Sequence, residues 1–411
     1  MQNQTNQSCA ERALIRLLSG RRLVAVGSLL GYLCLHLAFS DSSRAGLFNY
    51  HMYLAEAFLN GSLSLVREPP STHDLSVFDG KLFLYWGPLP AVVLMPLVFL
   101  FGADWSDEWL TMGLGTLATT AIFSMLEATK RLHGLSTSKS LLLTLAFGFG
   151  SPCLPLVLGG TVWHVSQLFT TLFLALAVTA TFRDDSAGRS YVVPGVLVGM
   201  ACLTRASAVG AVAWLLAHVY AQARSKSASR LSAACATLPA ISVLGALASL
   251  LLIYNFARFG SPLDNGVGYH QPDPMILEDI RAHGLFSFYY LPRNFFYHYI
   301  AYPFPASEDL LMGGSLFLMT PLYLGAFLAS ESKDLSRTVW GLWATVVLLA
   351  IPSLLLCGTG WTQLGPRYTL DYAPFLILLV AIGISRWSTQ AVALFTAASV
   401  AQYLYGLSVM P

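Results

Sequence analysis

The chain has 411 residues, 55% hydrophobic and 11% charged, with a mean hydropathy of +0.61; a soluble domain carries about 25% charged residues. The formal net charge is only +2 and no basic block is interleaved with aromatics, which sets nucleic acid aside as a partner. Six cysteines, at 9, 34, 153, 202, 235 and 357, show no CxxC spacing and lie mostly in apolar runs, so they read as small core residues rather than metal ligands or disulfides.

Apolar runs near the roughly 20 residues that span a bilayer recur at about 23–40, 84–102, 109–127, 140–158, 165–182, 191–221, 231–256, 310–330, 338–357, 370–386 and 388–408. Backbone groups in lipid must be satisfied within their own segment, and runs this long without alternation fit helices rather than barrel strands. The expectation is a single integral-membrane domain over 1–411, an all-α polytopic transmembrane bundle of about 10–12 helices. Arg12, Arg16, Arg21 and Arg22 precede the first run, which predicts a cytoplasmic amino terminus. No small-residue cleavage site follows, so that run reads as an anchor. Residues 41–83 then form a first outer loop. Arg224, Lys226, Arg230, Lys333, Arg337 and Arg386 read as cytoplasmic by the same rule, which puts 257–309 and 358–369 outside.

Within the first loop, "NYHMYLAEAFLNGSLSL" (49–65) spaces Tyr50, Leu54, Ala57 and Phe58 helically before an Asn60-Gly61 stop, and predicts an amphipathic helix on the membrane surface. "HDLSVFDGKLFLYWGPLPAVVLMP" follows from residue 73, with two aspartates, a lysine, aromatics and prolines set against an apolar run. Polar groups beside a membrane are costly unless they meet something, so the stretch reads as the lip of a site. The run 84–102 poses a choice. If it crosses, "KRLHGLSTSK" (130–139) lies outside against the charge rule; if it is re-entrant or flat, that segment lies inside, and Pro88, Pro90 and Pro96 interrupt a smooth span. A mid-span arginine costs about 2.5–3.5 kcal/mol, so 191–221 reads as two half-helices broken at "LTRAS", with Arg205 near the outer face.

The surface helix "YLAEAFLNGSL", an Asp-containing turn and "YWGPLPAVVLMPLVFLFG" together resemble the opening of the GT-C superfamily of glycosyltransferases. "GTVWHVSQ" (160–167), "GMACLTRAS" (199–207), "YNFARFGSPLDNG" (254–266) and "GPRYTLDYAPFLILL" (365–379) extend the resemblance over most of the chain. It is to membrane enzymes such as the protein O-mannosyltransferases and the aminoarabinose and Rgt-like transferases. The resemblance implies a GT-C-like bundle, a polyprenyl-phosphate sugar as donor, and a catalytic carboxylate in the first outer loop. The family's acids just before the surface helix are replaced here by Phe48 and Asn49.

An inverting transferase needs a carboxylate to take a proton from the acceptor hydroxyl and cations to hold the departing phosphate. For the base the candidates are Asp41 first, where the first helix emerges, then Asp74 and Asp79; turn chemistry accounts for the last two equally well. For the phosphate they are Arg367 and Arg205. The alternatives are an Arg367–Asp371 ion pair and an interfacial, snorkelling Arg205. His51, Lys81, His164 and Tyr368 complete the substrate-binding set. The second loop is rich in interface-type aromatics, and its Asp273, Glu278 and Asp279 match no metal-loop spacing, so neither a metal nor another cofactor is expected. The acceptor is a lipid, a glycan or a protein. The expected setting is the outer face of a bacterial plasma membrane. A lipid or sugar transporter and an inactive GT-C-like assembly protein are the competing readings; no clear inverted repeat supports the first, and the missing acids favour the second.

Overall fold

The structure is a computed structural model that describes residues 2–39, 46–183, 191–226, 229–272, 274–305, 312–331, 336–360 and 363–409. In chain order they form α1 (Gln2–Phe39), α2 (Tyr50–Leu59), a hairpin of β1 (Ser76–Phe78) and β2 (Lys81–Phe83), α3 (Leu89–Phe101), α4 (Asp107–Ala128), α5 (Lys130–His133), α6 (Thr137–Phe149), α7 (Cys153–Gly159), α8 (Val162–Phe182), α9 (Val192–Thr204) and α10 (Gly210–Lys226). Then come α11 (Arg230–Cys235), α12 (Leu238–Phe259), α13 (Pro274–His283), α14 (Leu291–Phe295), β3 (Met312–Gly313), α15 (Leu316–Met319), α16 (Ser336–Leu355), β4 (Gln363–Leu364), α17 (Ala373–Gly383) and α18 (Thr389–Val409).

Seven helices among the described residues are long and apolar enough to cross a membrane, or eight if α6 and α7, bent by 49°, make one span. The bend falls where Gly150 ends α6 and Pro152 removes a backbone donor. The chain is a multi-pass membrane protein. The bundle is built around α8, buried along most of its length, with α4 and α9 against it, and α17 is buried almost throughout. α1 and α12 lie outside these and turn Leu23, Leu30, Leu250 and Ile253 outward. That is stable only where the solvent is lipid. Hydroxyls inside the bundle are answered locally: Thr144, Thr170 and Thr179 donate to the carbonyl four residues back, and Thr171 also reaches Leu370 O at 2.9 Å.

The segment 84–102 does not run from one end of the bundle to the other. At its start Arg258 Nη1 donates to Leu84 O at 2.8 Å, and Gly87 packs so closely on the carbonyls of Leu203 and Thr204 that a Cβ would lie 2.0 Å from Leu203 O. At its end Asn49 Nδ2 donates to Ala103 O at 2.8 Å. Both places belong to the same end, so α3 lies along it, packed on α2, with Val92, Phe99, Leu100 and Phe101 exposed. α4 therefore starts where α3 stops, and 130–139 falls at the opposite end, beside Arg21 and Arg183.

α2 forms at the expected residues. It is covered more fully than a helix resting on a membrane surface, with Tyr50, His51, Met52, Tyr53, Leu54, Ala55 and Ala57 all buried against α3 and the loop before α8. The run 191–221 breaks at Arg205, whose backbone is extended, into α9 and a turn that leads to α10. In the run 310–330 the described residues form β3, the short α15 and a 3₁₀ stretch, Pro321–Glu331, packed on α17; there a Cβ at Gly383 would lie 1.8 Å from Gly325 O. In the second large loop, Asn294 Nδ2 donates to the carbonyls of Ser353, Leu354 and Leu356 and so answers the end of α16.

The course of α3 is testable by single cysteines in a cysteine-free background. Positions 79 and 104 are expected to react with an impermeant thiol reagent from one side of the membrane and position 138 from the other. Labelling of 79 and 104 from opposite sides would mean that α3 crosses.

Candidate functional site

Five of the residues selected from sequence converge at the α3 end of the bundle: Asp74, His164, Arg205, Arg367 and Tyr368. Asp74 leads into the hairpin with φ of 63°, a left-handed conformation that aspartate tolerates better than most side chains. Its strand is zipped to the second outer loop: Asp74 N donates to Gln271 O at 3.3 Å, Gln271 N to Leu75 O at 3.1 Å, and Ser76 Oγ to Gly266 O at 2.8 Å. The Asp74 carboxyl accepts a hydrogen bond from Trp163 and lies 3.8 Å from His73 Nε2. Burial raises its pKa above the ordinary carboxylate value, while the charges of His73, His270 and Arg367 and the Trp163 hydrogen bond pull it back.

Arg367 stands at the mouth of α17, its guanidinium 5.2 Å from the Tyr368 ring centroid and 5.6 Å from that of Trp163. Gly360, at φ of 107°, makes the room: a Cβ there would lie 2.9 Å from Arg367 Nε. Asp371, the partner considered from spacing, is engaged elsewhere. Its Oδ2 accepts from Arg205 Nε at 3.2 Å and from Ser207 Oγ at 2.6 Å. Among the described residues no carboxylate lies within ion-pair distance of Arg367, and its Nε is buried without a hydrogen-bond partner. The alternative readings of the two arginines therefore separate: Arg205 takes the ion pair, and Arg367 is left as a cation facing aromatic rings.

Aromatic side chains wall the site. Tyr85 stacks on Trp86 at 3.9 Å and faces His270 at 5.5 Å, and Trp163 meets Phe48, His73 and Trp86. Burial, followed by the charge of Asp74, pushes the Tyr85 hydroxyl well above its usual pKa. His164 lies near Arg367, and a Cβ on Gly159 would sit 2.7 Å from its ring.

The other selected residues lie apart. Asp79 and Lys81 are exposed at the hairpin tip, where Asp79 and Gly80, with φ of 47° and 70°, make a tight turn between the strands. His51 is buried 2.9 Å from Ser166 Oγ; Ser166 gives its proton to Val162 O, so His51 Nε2 is the donor. Burial lowers the pKa of His51 to about 3 and keeps it neutral, a packing residue rather than a cation. Asp41 lies outside the described residues. Among the described residues no three His, Cys, Asp or Glu side chains gather closely enough to hold a metal ion. Sequence reasoning passed over Trp163, His73, His270 and Tyr85. Trp163 stands beside the selected His164, and His73 opens the stretch already read as a lip.

The chain matches no family model, and no curated protein sequence matches it. Its likeness is to solved structures. The archaeal oligosaccharyltransferase AglB from Archaeoglobus fulgidus, solved with an inhibitory peptide and a dolichol-phosphate, superposes with a TM-score of 0.56 at 11% identity over 95% of this chain. The apo form of the Archaeoglobus fulgidus oligosaccharyltransferase gives 0.53 at 12% identity over 93%. The fold is GT-C-like. The chain spans about half of those enzymes, 55% and 56% of their lengths. ArnT from Cupriavidus metallidurans, bound to undecaprenyl phosphate, gives a TM-score of 0.44 at 16% identity, covering 97% of this chain and 63% of its own. In this GT-C-like frame Asn49, just before α2, is buried and donates to Ala103 O and Trp105 O, so it serves packing.

The Arg205–Asp371 pair is the site's most buried ion pair, with side chains 12% and 3% exposed. Removing one partner leaves the other charge uncompensated, so Asp371→Asn is expected to cost about 3–5 kcal/mol, and Arg205→Gln with Asp371→Asn less than the sum of the single changes. Thermal unfolding in detergent measures this; additive losses would mean that the two do not act as a pair.

Proposed function

We propose that the protein is a glycosyltransferase that moves a sugar from a polyprenyl-phosphate donor to an acceptor hydroxyl at the outer face of the membrane, with inversion. One observation carries the reading: a carboxylate, Asp74, with its side chain only 20% exposed, lies in the field of a guanidinium, Arg367, that has no carboxylate within ion-pair distance among the described residues. AglB, which shares the fold, was solved with a dolichol-phosphate, and that supports a lipid-linked phosphate as ligand here.

In this reading Arg367 grips the donor phosphate, backed by Trp163 and Tyr368, while Arg205 holds the entrance to α17 in place. Asp74 takes the proton as the acceptor oxygen attacks the anomeric carbon from the face opposite the phosphate. The bond from that carbon to the phosphate oxygen breaks, and the polyprenyl phosphate leaves with one more negative charge, which Arg367 balances. A base of this kind works best with a pKa near the working pH, and burial moves Asp74 in that direction. Asp41 remains the other candidate base. The basic end with Arg21, Lys130, Arg131 and Arg183 faces the cytoplasm by the charge rule, which places Asp74 outside, and a bacterial plasma membrane is the proposed setting. Lipid, glycan and protein hydroxyls all fit as acceptors.

Transfer of radiolabel from a panel of polyprenyl-phosphate sugars to membrane extract tests this. Asp74→Asn is expected to lower the rate about 10²–10⁴-fold and Arg367→Ala to abolish donor retention, with both variants folded. Full activity in Asp74→Asn would pass the role to Asp41, and donor binding without transfer in wild type would favour the inactive assembly protein. The rate should rise with pH through a limb above the 3.8 of a free aspartate, because the carboxylate form is the base. Trp163→Phe removes a hydrogen bond that favours that form and should move the limb to higher pH; a limb unmoved by the change would show that Asp74 is not the titrating group.

A further inference from the structure

At the end of the bundle opposite the site, α1, α4, α5 and α8 line an open pocket of about 480 Å³. That is within the size of ligand-holding clefts, roughly 300–1,000 Å³. Arg21 enters from α1, Lys130 and Arg131 from α5, and Arg183 from the end of α8, against Glu127 as the one carboxylate among the described lining residues. Lys130 Nζ lies 3.5 Å from Glu127 Oε2 and donates to Thr137 Oγ1 at 3.0 Å. Arg21 Nε is buried with no hydrogen-bond partner, and the like charge of Arg183 acts on Arg21. A cytoplasmic charge bias needs only solvated cations near helix ends. It does not require arginines from two helices, distant in sequence, to share a cavity, an arrangement that like-charge repulsion opposes unless an anion sits between them.

We propose that this cavity binds the phosphodiester headgroup of an anionic phospholipid. The phosphate lies between Arg21 and Arg183, where forked guanidinium donors suit its oxygens. Ala128 and Phe182 give the cavity an apolar wall for the glycerol and the start of the acyl chains. Basic pockets between helices at a cytoplasmic surface suit anionic headgroups. The lipid ties the middle of α1, where its apolar part begins, to the end of α8, the helix that carries Trp163 and His164 at its other end. A free phosphate shares the headgroup's chemistry but makes no use of the apolar wall.

Thermal unfolding of the purified full chain in detergent, with phosphatidylglycerol, phosphatidylcholine or inorganic phosphate added, tests the proposal. Phosphatidylglycerol is expected to raise the unfolding midpoint in a dose-dependent way, because a ligand that binds only the folded state stabilises it by mass action, and phosphatidylcholine is not. Arg21→Gln with Arg183→Gln should weaken the phosphatidylglycerol response about tenfold. Glu127→Gln, which removes the opposing charge, should strengthen it and keeps the test informative if the double variant fails to fold. Equal responses to the two lipids, or no change in Glu127→Gln, would overturn the proposal. A response to inorganic phosphate equal to that of phosphatidylglycerol would overturn its lipid part.

Discussion

The ion pair between Arg205 and Asp371 is the contact on which the site depends. Two arginines and two aspartates lie at this end of the bundle, and one of the aspartates, Asp371, goes to Arg205 and Ser207. A buried charge needs a partner, so the pair fixes the turn between α9 and α10 to the entrance of α17. The consequence is an unpaired cation: Arg367, four residues before Asp371, is held in place by ring faces and by the space at Gly360, with no described carboxylate within ion-pair distance. A site with an unpaired cation and low-dielectric walls favours anions before any specific contact is made.

The rest of the site is backbone work. Asp74 is displayed by a short hairpin whose own turn is tight and whose outer edge is joined to the second loop. Arg258, between the rings of Tyr254 and Phe259, reaches Leu84 O and so anchors the far side of the hairpin to α12. The carboxylate is thereby placed by two loops and one helix end, and its left-handed conformation is held rather than chosen.

Much of this was legible in the chain itself. Composition and run length dictated a membrane bundle, and the charge rule, applied to 130–139, made the course of 84–102 a choice between crossing and re-entrant. Arg205 and Arg367 were selected as cations at helix ends beside apolar walls and Asp74 as an acid of the lip, and all three lie at the same end of the bundle. What pattern did not reveal was pairing. Helical spacing offered Asp371 to Arg367, but residues 367–371 form a tighter 3₁₀ turn, and a residue on another helix took the carboxylate. Nor did it show that α2 is buried on most sides: the cover comes from α3, which looks like a span in sequence. Trp163, His73 and His270 escaped notice because each is an ordinary residue locally and acquires its role from elements far away.

The zipper between residues 74–76 and 266–271 has a consequence for the order in which the protein becomes complete. Ser76 and Gly266 are 190 positions apart, and eight helices, α3 to α10, must be made between the hairpin and α11–α12, behind which the other side of the zipper follows. During synthesis the hairpin is made with its edge unpaired and no fixed place for Asp74. Only when α12 has followed and delivered Arg258 and the loop behind it does the hairpin gain its pairing, so Asp74 is positioned late although it is translated early.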